Sequence, residues 1–271
     1  MSSPAERPQA ANEELAPMVR RERDARGVVS LTLNRPQAFN ALSEAMLESL
    51  QRELDALETD PGARVLVLAG AGKAFCAGHD LREMRAKPSL EYYEKLFAQC
   101  SQVMLSLRRL PVPVIARVHG IATAAGCQLV AQCDLAVAAT EARFAVSGVN
   151  LGLFCSTPGV PLSRNVPLKE AFEMLVTGDF IDAATAQERG LVNRVVAAEA
   201  LDTEIEKLIA NILRKPRVAI ALGKELFYRQ AELPLAAAYE AAGRTMAKNM
   251  MERSALEGFQ AFIEKRTPRW E

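Results

Sequence analysis

A short apolar strand, a run of very small residues and a second apolar run follow one another near the middle of the chain. Val112–Val118 is rich in Val, Ile and Pro, which predicts a buried strand. The overlapping segment Val118–Gln128 (VHGIATAAGCQ) contains the small residues Ala122, Ala124, Ala125 and Gly126 around its turn. Because Cys127–Val130 is apolar at helical spacing, the sequence predicts a strand, a tight turn and the start of a helix.

This turn has two interpretations. Small residues let the backbone approach a ligand closely, and free N–H groups at a helix start can hold a carbonyl oxygen that gains negative charge. In the second interpretation, the small residues serve packing only. The stretch alone favours neither.

Composition excludes several classes of function. Lys+Arg and Asp+Glu both number 33, so the net charge is zero, which argues against nucleic acid or a membrane surface as partner. The five cysteines form no C-x-x-C pair and favour reduced thiols in a cytoplasmic compartment, or in the mitochondrial matrix if the source is eukaryotic. With two histidines, no metal site is expected. We find no apolar run long enough to cross a bilayer and no apolar signal core at the N-terminus.

The order of elements predicts an α/β fold. Strands are expected at Val28–Asn34, Val65–Ala69, Val112–Val118 and Leu135–Ala138. Helical segments between them make three strand–helix–strand units that suit parallel pairing. From Leu168 onward the pattern is mostly helical. We divide the chain into a tail at residues 1–17, a core at 18–197 and a helical region at 198–271.

Several nucleotide and hydrolase motifs are absent. The Gly70–Lys73 segment (GAGK) lacks the glycine spacing of a phosphate loop, and Ala74 replaces the required Ser or Thr. The chain has neither a G-x-G-x-x-G nor a G-x-S-x-G pattern. A second small-residue turn, Ala74–Asp80 (AFCAGHD), follows the Val65 strand. Two such turns at one sheet edge could direct one N–H each at a single oxygen, which suits acyl-group chemistry.

Seven segments resemble, in order and spacing, the crotonase superfamily, also called the enoyl-CoA hydratase/isomerase family. They are Asn34–Leu42, Lys73–Leu81, Pro113–Leu129, Cys133–Leu135, Leu175–Gly178, Ala186–Val192 and Ala261–Arg266. The resemblance implies a crotonase-like β-β-α spiral core with a helical C-terminal region. It also implies a homotrimer or a dimer of trimers, and an acyl-CoA or enoyl-CoA thioester as substrate without a further cofactor.

The resemblance also implies roles for individual residues. The N–H groups of His79 and Ala125 would hold the thioester oxygen. The residues lining the CoA groove would be Ala38, Phe39, Ala77, Asp80 and Leu81, and Lys265 would reach CoA from a neighbouring subunit. The two glutamates with which the family's hydratases activate water fall at Gln128 and Gly148, so both carboxylates are missing.

Gln128 can orient a water molecule but is no base near neutral pH, and Gly148 has no side chain. Ser147–Pro158 (SGVNLGLFCSTP) resembles a narrower group of the family, that of enoyl-CoA hydratase domain-containing protein 3. The nominal function is therefore that of an enoyl-CoA hydratase-like lyase of fatty acid metabolism. Two alternatives stay open: another thioester reaction, such as hydrolysis or decarboxylation, and a non-catalytic acyl-CoA-binding or scaffold protein.

Replacement groups for the carboxylates are few. For the His79 imidazole, we favour a ring that points to solvent or bonds locally over one at the acyl carbon. Cys155 could be a nucleophile only if a neighbour lowered its pKa, and a small buried cysteine is the commoner case. Glu94 lies on a helix that could border the acyl pocket. For His119, a structural hydrogen bond is expected.

Overall fold

A computed structural model describes residues 16–270. The expected tail at residues 1–17 therefore lies outside the described residues except at its last two positions. There the carbonyl of Pro17 accepts a hydrogen bond of 3.0 Å from the Asn34 side chain. The division of the chain at residues 17 and 197 stays a prediction.

The larger sheet has six strands in the order β1-β2-β3-β5-β7-β10. They are β1 (Val19–Arg23), β2 (Val28–Leu33), β3 (Val65–Gly70), β5 (Val114–Val118), β7 (Leu135–Ala139) and β10 (Arg194–Val196). Only β1 runs antiparallel to its neighbour, and the other four pairings are parallel. All six residues of β3 are buried, as expected for a central parallel strand covered on both faces.

A second sheet has four strands in the order β4-β6-β8-β9. They are β4 (Ala74–Cys76), β6 (Ile121–Thr123), β8 (Arg143–Ala145) and β9 (Ile181–Asp182). The chain passes from β3 to β4, from β5 to β6 and from β7 to β8, so each passage adds one strand to each sheet. This alternation, with helices between the passages, is the expected β-β-α spiral.

Eleven α-helices complete the described part of the chain. They are α1 (Glu44–Glu58), α2 (Leu81–Ala86), α3 (Leu90–Arg109), α4 (Ala125–Gln132), α5 (Ser156–Asn165), α6 (Leu168–Thr177), α7 (Ala183–Glu188), α8 (Leu201–Leu213), α9 (Arg217–Gln230), α10 (Leu235–Met250) and α11 (Arg253–Ile263). Ser43 caps α1 by accepting a hydrogen bond from the Met46 N–H, as its position predicts. The leucine stripe of α1 is buried in the main core.

Three elements were not expected from the sequence. The first four residues of the strongly charged segment Arg20–Arg26 belong to β1, an edge strand whose arginines are exposed. Ala74–Cys76, expected to be part of a turn, forms β4. Ser156–Asn165, for which the sequence predicts no helix, forms α5.

A polar cluster joins the C-terminal helices to the core. Lys224 of α9 is buried, and its Nζ lies 2.6 Å from Asp134, beside the start of β7. The same ammonium donates to the carbonyls of Leu107 and Val112, and Tyr228 donates to Asp134 at 2.6 Å. Because these groups are paired with one another, the cluster joins α9 to the core without leaving a buried charge unpaired.

Candidate active site

The two small-residue turns lie at neighbouring strands, as predicted, although the strands differ from those expected. The strands directly before the turns are β4 and β6, which pair in parallel in the smaller sheet. Their predecessors β3 and β5, which the sequence identified, pair in the larger sheet. The two turns therefore emerge at the same edge.

The two turns approach each other at backbone distance. A Cβ added to Gly126 would lie 2.0 Å from the Cys76 carbonyl oxygen, which only glycine permits. In the opposite direction, a Cβ at Gly78 would lie 2.9 Å from the Cβ of Ala124 and 3.3 Å from the Ala125 nitrogen. This contact places the residue after Gly78, His79, beside the start of α4.

Both proposed N–H donors are available at this contact. Ala125 is the first residue of α4, so its N–H has no acceptor within the helix. The N–H of His79 has no acceptor among residues 16–270, because its neighbour Asp80 makes the backbone bond to Leu42 instead. The sequence thus brings together two unpaired donors of the kind that stabilises an oxyanion.

The backbone strain of this turn lies at Ala124. Ala124 has φ 50° and ψ −119°, a conformation that favours glycine, and it caps α4 without a side-chain hydrogen bond. Ala125 is helical. The strained residue of the turn is therefore Ala124 and not its neighbour Ala125.

The imidazole of His79 lies inside the protein, which corrects the expectation that it points to solvent or bonds locally. Its ring packs edge-on against Phe97 of α3, with ring centroids 5.5 Å apart at an interplanar angle of 80°. The Nε2 atom is buried and has no hydrogen-bond partner among the described residues. Burial lowers the pKa of His79 to about 4, so the ring is neutral at pH 7.

Gln128 lies one helical turn after Ala125 on the same side of α4. Only 3% of its surface is exposed, and its Oε1 atom has no hydrogen-bond partner in the described part of the chain. The position to which the resemblance assigns the first glutamate thus holds a buried, neutral, unpaired amide.

Gly148 lies in a short 3-10 turn over Ser147–Leu151, with no room for a side chain. A Cβ there would meet the Leu153 carbonyl oxygen at 2.5 Å and the Cys155 Sγ at 2.7 Å. The Gly148 N–H donates to the same sulfur at 3.2 Å. At the position to which the resemblance assigns the second glutamate, the space for a side chain is therefore filled by the following loop.

Cys155 is a structural thiol in this arrangement. It is buried, and burial raises its pKa, an effect that outweighs the hydrogen bond from Gly148. A thiol whose pKa is raised is a poor nucleophile. The other four cysteines are also buried and free: Cys76, Cys100, Cys127 and Cys133.

The residues expected to line the CoA groove lie together on one side of the site. The Ala77 N–H donates to the Phe39 carbonyl at 3.0 Å, which joins the two segments that carry them. Phe39 and Leu81 are more than half exposed, and Ala38 is half-buried. Asp80 caps α2 through the N–H groups of Arg82 and Glu83, as its position predicted.

Asp80 also forms an ion pair of 2.6 Å with Arg35. Burial alone would raise the pKa of this carboxyl, but Arg35 and the two N–H donors outweigh that effect and lower it. Asp80 is therefore ionised at neutral pH and serves a structural role at the mouth of the groove.

Three further candidates lie outside this arrangement. Lys265 follows α11 with a left-handed φ of 55°, and its exposed ammonium makes no ion pair within the described residues. Glu94 is exposed on α3. His119 donates a hydrogen bond of 2.8 Å from its Nε2 to the Gly72 carbonyl oxygen, consistent with the structural role expected for it.

Sequence reasoning missed three residues of the site. Phe97 packs on His79, and its spacing of four residues from Tyr93 on α3 was the one available signal. Leu153 acts through a carbonyl oxygen, which no sequence pattern reveals. Buried Asn40 donates to the carbonyls of Ala71, Ala74 and Phe75, so it holds the loop that precedes the His79 turn.

Within residues 16–270, no group of three or more His, Cys, Asp or Glu residues is placed to hold a metal ion. The same residues contain no helix long and apolar enough to span a membrane.

The spiral of paired strands and the two facing N–H turns are those of the crotonase fold. A profile of the family described as Enoyl-CoA hydratase/isomerase matches residues 23–271, and the chain belongs to this family. It is 46% identical over 244 residues to enoyl-CoA hydratase domain-containing protein 3, mitochondrial, of Xenopus laevis. That match covers 90% of this chain and 83% of the relative.

The human protein of the same name is 43% identical over 263 residues, covering 96% of this chain and 86% of the relative. A crystal structure described as enoyl-CoA hydratase from Mycobacterium smegmatis superposes with a TM-score of 0.93 at 67% identity, covering 94% of this chain and 99% of that one. The fold class and the resemblance to the narrower group are confirmed.

Proposed function

We propose that this protein binds an acyl-CoA thioester and acts on it through an oxyanion hole formed by the N–H groups of His79 and Ala125. The observation that carries the proposal is the backbone contact between the two turns. Gly126 against Cys76 and Gly78 against Ala124 set two unpaired donors side by side at one sheet edge. A donor of this kind contributes on the order of 3 kcal/mol to transition-state stabilisation.

The CoA moiety lies, in this proposal, along Ala38, Phe39, Ala77, Asp80 and Leu81. Two large apolar side chains among them, Phe39 and Leu81, are exposed, which suits contact with an adenine ring or pantetheine chain. No cofactor other than the CoA of the substrate is proposed.

The reaction proposed first is hydration of an enoyl-CoA, the reaction printed in the names of many relatives. Its test is the loss of conjugated thioester absorbance with crotonyl-CoA and with a longer enoyl-CoA, beside a thermal-shift measurement of binding. Turnover above the rate without protein supports a hydratase. Binding without turnover refutes hydration but retains the thioester site.

A second candidate, favoured by the closed position at Gly148 and the neutral amide at Gln128, is a non-catalytic acyl-CoA-binding or scaffold protein. It predicts tight binding of both saturated and unsaturated acyl-CoA without any change to either. Hydrolysis through Cys155 receives no support, because burial raises the pKa of that thiol.

We further propose self-association as a homotrimer or a dimer of trimers. The supporting observation is the number of large apolar side chains exposed on the C-terminal helices, among them Phe227, Leu235, Tyr239, Met246, Phe259 and Phe262. In such an assembly, Lys265 would reach a CoA bound to the neighbouring subunit. Sedimentation equilibrium tests the assembly, and a monomer at micromolar concentration would refute it.

The proposed location is the cytoplasm, or the mitochondrial matrix in a eukaryote. Five free, buried cysteines support a reducing compartment. The vertebrate relatives carry the word mitochondrial in their names.

A further inference from the structure

His79 presents two different groups at one position. Its main-chain N–H is the donor assigned above to the thioester oxygen, and its side chain is an imidazole enclosed between the turn and α3. Because both groups belong to one residue, the imidazole lies within a few bonds of the proposed oxyanion hole. Any acyl group held there has its C1 and C2 atoms close to this residue.

The Nε2 atom of His79 is buried without a protein partner. Buried polar side-chain atoms are paired in the large majority of cases, so an unpaired nitrogen beside a binding site is expected to meet a group of the ligand. The contact between its ring and Phe97, with centroids 5.5 Å apart, limits the rotation of the imidazole. The nitrogen is thereby held in place before a substrate arrives.

The protonation state of His79 suits a base. Because burial lowers its pKa to about 4, the ring keeps a free lone pair at neutral pH. The neutral imidazole can therefore accept a proton, which the side chains at Gln128 and Gly148 cannot do.

The other groups weighed as substitutes cannot serve as a base at the site. Glu94 is exposed on α3. Cys155 accepts a hydrogen bond from the Gly148 N–H, and burial raises its pKa. Gln128 is an amide and does not take a proton near neutral pH.

We propose that the imidazole of His79 is a catalytic residue that removes and returns a proton at C2 of the bound acyl group. The proposal rests on the proposed function, because the thioester oxygen must first be held by the two N–H groups. It assigns to one residue both the electrostatic and the proton-transfer part of the reaction.

The step conserves protons and electrons. The lone pair of Nε2, in the tautomer that carries its proton on Nδ1, takes the C2 proton. The C–H electron pair becomes the C1–C2 double bond, and the carbonyl π pair moves to the oxygen, which becomes an enolate held by His79 and Ala125 N–H. Return of the proton from the imidazolium restores the thioester. In D₂O the imidazolium N–H first exchanges with solvent, so the enolate receives a deuteron and the product is the same thioester with deuterium at C2.

The experiment measures deuterium incorporation into butyryl-CoA in D₂O at neutral pH by mass spectrometry, with calorimetric titration of butyryl-CoA binding in parallel. The full chain is expected to exchange C2 protons faster than the solution without protein. His79→Gln retains the backbone N–H and a polar side chain but removes the base, so exchange should fall by about 100-fold or more while affinity changes by about threefold or less. His119→Gln is the matched control and should exchange at the normal rate.

The outcomes separate the two proposals. If the unmodified protein does not bind butyryl-CoA, the proposed function fails and this inference with it. If it binds without exchange, or if His79→Gln exchanges as fast as the unmodified protein, only the role of the imidazole is overturned. Should His79→Gln fail to fold, the ring proton signals provide the test. With two histidines in the chain, the His79 signal can be assigned, and a signal unmoved by butyryl-CoA would overturn the proposal.

Discussion

Gln128 and Gly148 stand at the two positions to which the family resemblance assigns the glutamates of the hydratases, and they differ from a glutamate in opposite ways. At Gln128 the side chain keeps nearly the volume of a glutamate, is buried and has an oxygen without a partner. At Gly148 the side chain is gone, and Leu153 and Cys155 occupy the space next to it. Position 128 thus differs from a glutamate in the chemistry of its side chain, and position 148 differs in the space available to one.

Because of this difference, a carboxyl group is easier to introduce at position 128 than at position 148. A single substitution can return a carboxyl group to position 128, because the space remains. At position 148 the loop from Ser147 to Cys155 would have to move first. Cys155 makes two contacts that oppose such a move: it accepts the Gly148 N–H, and it is buried in the main core.

The largest expected effect is that of Gly148→Glu. Because its Cβ would lie 2.5 Å from the Leu153 oxygen and 2.7 Å from the Cys155 sulfur, the loop must distort. We expect the free energy of unfolding to fall by about 4 kcal/mol, measured by urea denaturation. Gly243→Glu on α10 is the control, since nothing lies within 4 Å of its added Cβ. Equal stability of the two variants would contradict the closed position.

The next largest expected effect is the dependence of the free energy of unfolding on pH that His79 causes. Its folded-state pKa of about 4 lies below the ordinary value of 6.5, so the unfolded chain binds the proton more tightly. The stability tied to the neutral ring is present above pH 6.5 and is lost as pH falls toward 4. Between pH 7 and pH 4, the unmodified protein should lose about 3 kcal/mol more stability than His79→Gln.

Parallel urea titrations of the two proteins at several pH values provide the measurement. The difference between them removes the contribution of the other acidic groups. Parallel stability curves for the unmodified protein and His79→Gln would show that the imidazole is not buried in the neutral state.

Gln128→Glu tests the open position and should have a smaller effect. Burial raises the pKa of the new carboxyl, so the variant is nearly as stable as the unmodified protein below about pH 4 and loses about 2 kcal/mol as pH rises past the ordinary glutamate value. Hydration of crotonyl-CoA should rise about tenfold or more, because a general base or acid is restored.

The double variant Gln128→Glu with Gly148→Glu sharpens the same comparison in one assay. It should be no more active than Gln128→Glu and clearly less stable. A double variant that is both stable and more active would show that the loop at Gly148 accommodates a side chain after all.

The smallest expected effect is that of Ala124→Gly. Removing the Cβ relieves the backbone at φ 50° and should raise the free energy of unfolding by about 1 kcal/mol. Ala125→Gly is the matched control, because Ala125 is helical and glycine there should lower stability by about 1 kcal/mol. Thermal melting of both variants checks the opposite signs.

The sequence predicted the elements whose causes are local. The helix Leu90–Arg109 has such local causes, because Ser89 caps its start and Pro111 follows its end. The central strands followed from continuous apolar runs such as Val65–Ala69. The placement of His79 and Ala125 at neighbouring turns was predicted in outline from the family resemblance and from the order of the strands.

Other features depend on contacts between distant segments and left no local pattern. The strand Val19–Arg23 is charged along most of its length and pairs with β2 through all five of its residues. The smaller sheet consists of strands of two or three residues, too short for a period to be detected. The inward orientation of His79 depends on Phe97, a residue on another helix.

Gly126 fixes the distance between the two turns of the site. Because Gly126 has no Cβ, the first turn of α4 packs directly on the carbonyl of Cys76. The two turns that carry the proposed donors are therefore in direct backbone contact. Alanine is accepted at positions 124 and 125, where the added carbon changes strain but not separation. A side chain at position 126 would therefore push the two turns apart, whereas the alanines at positions 124 and 125 leave their separation as it is.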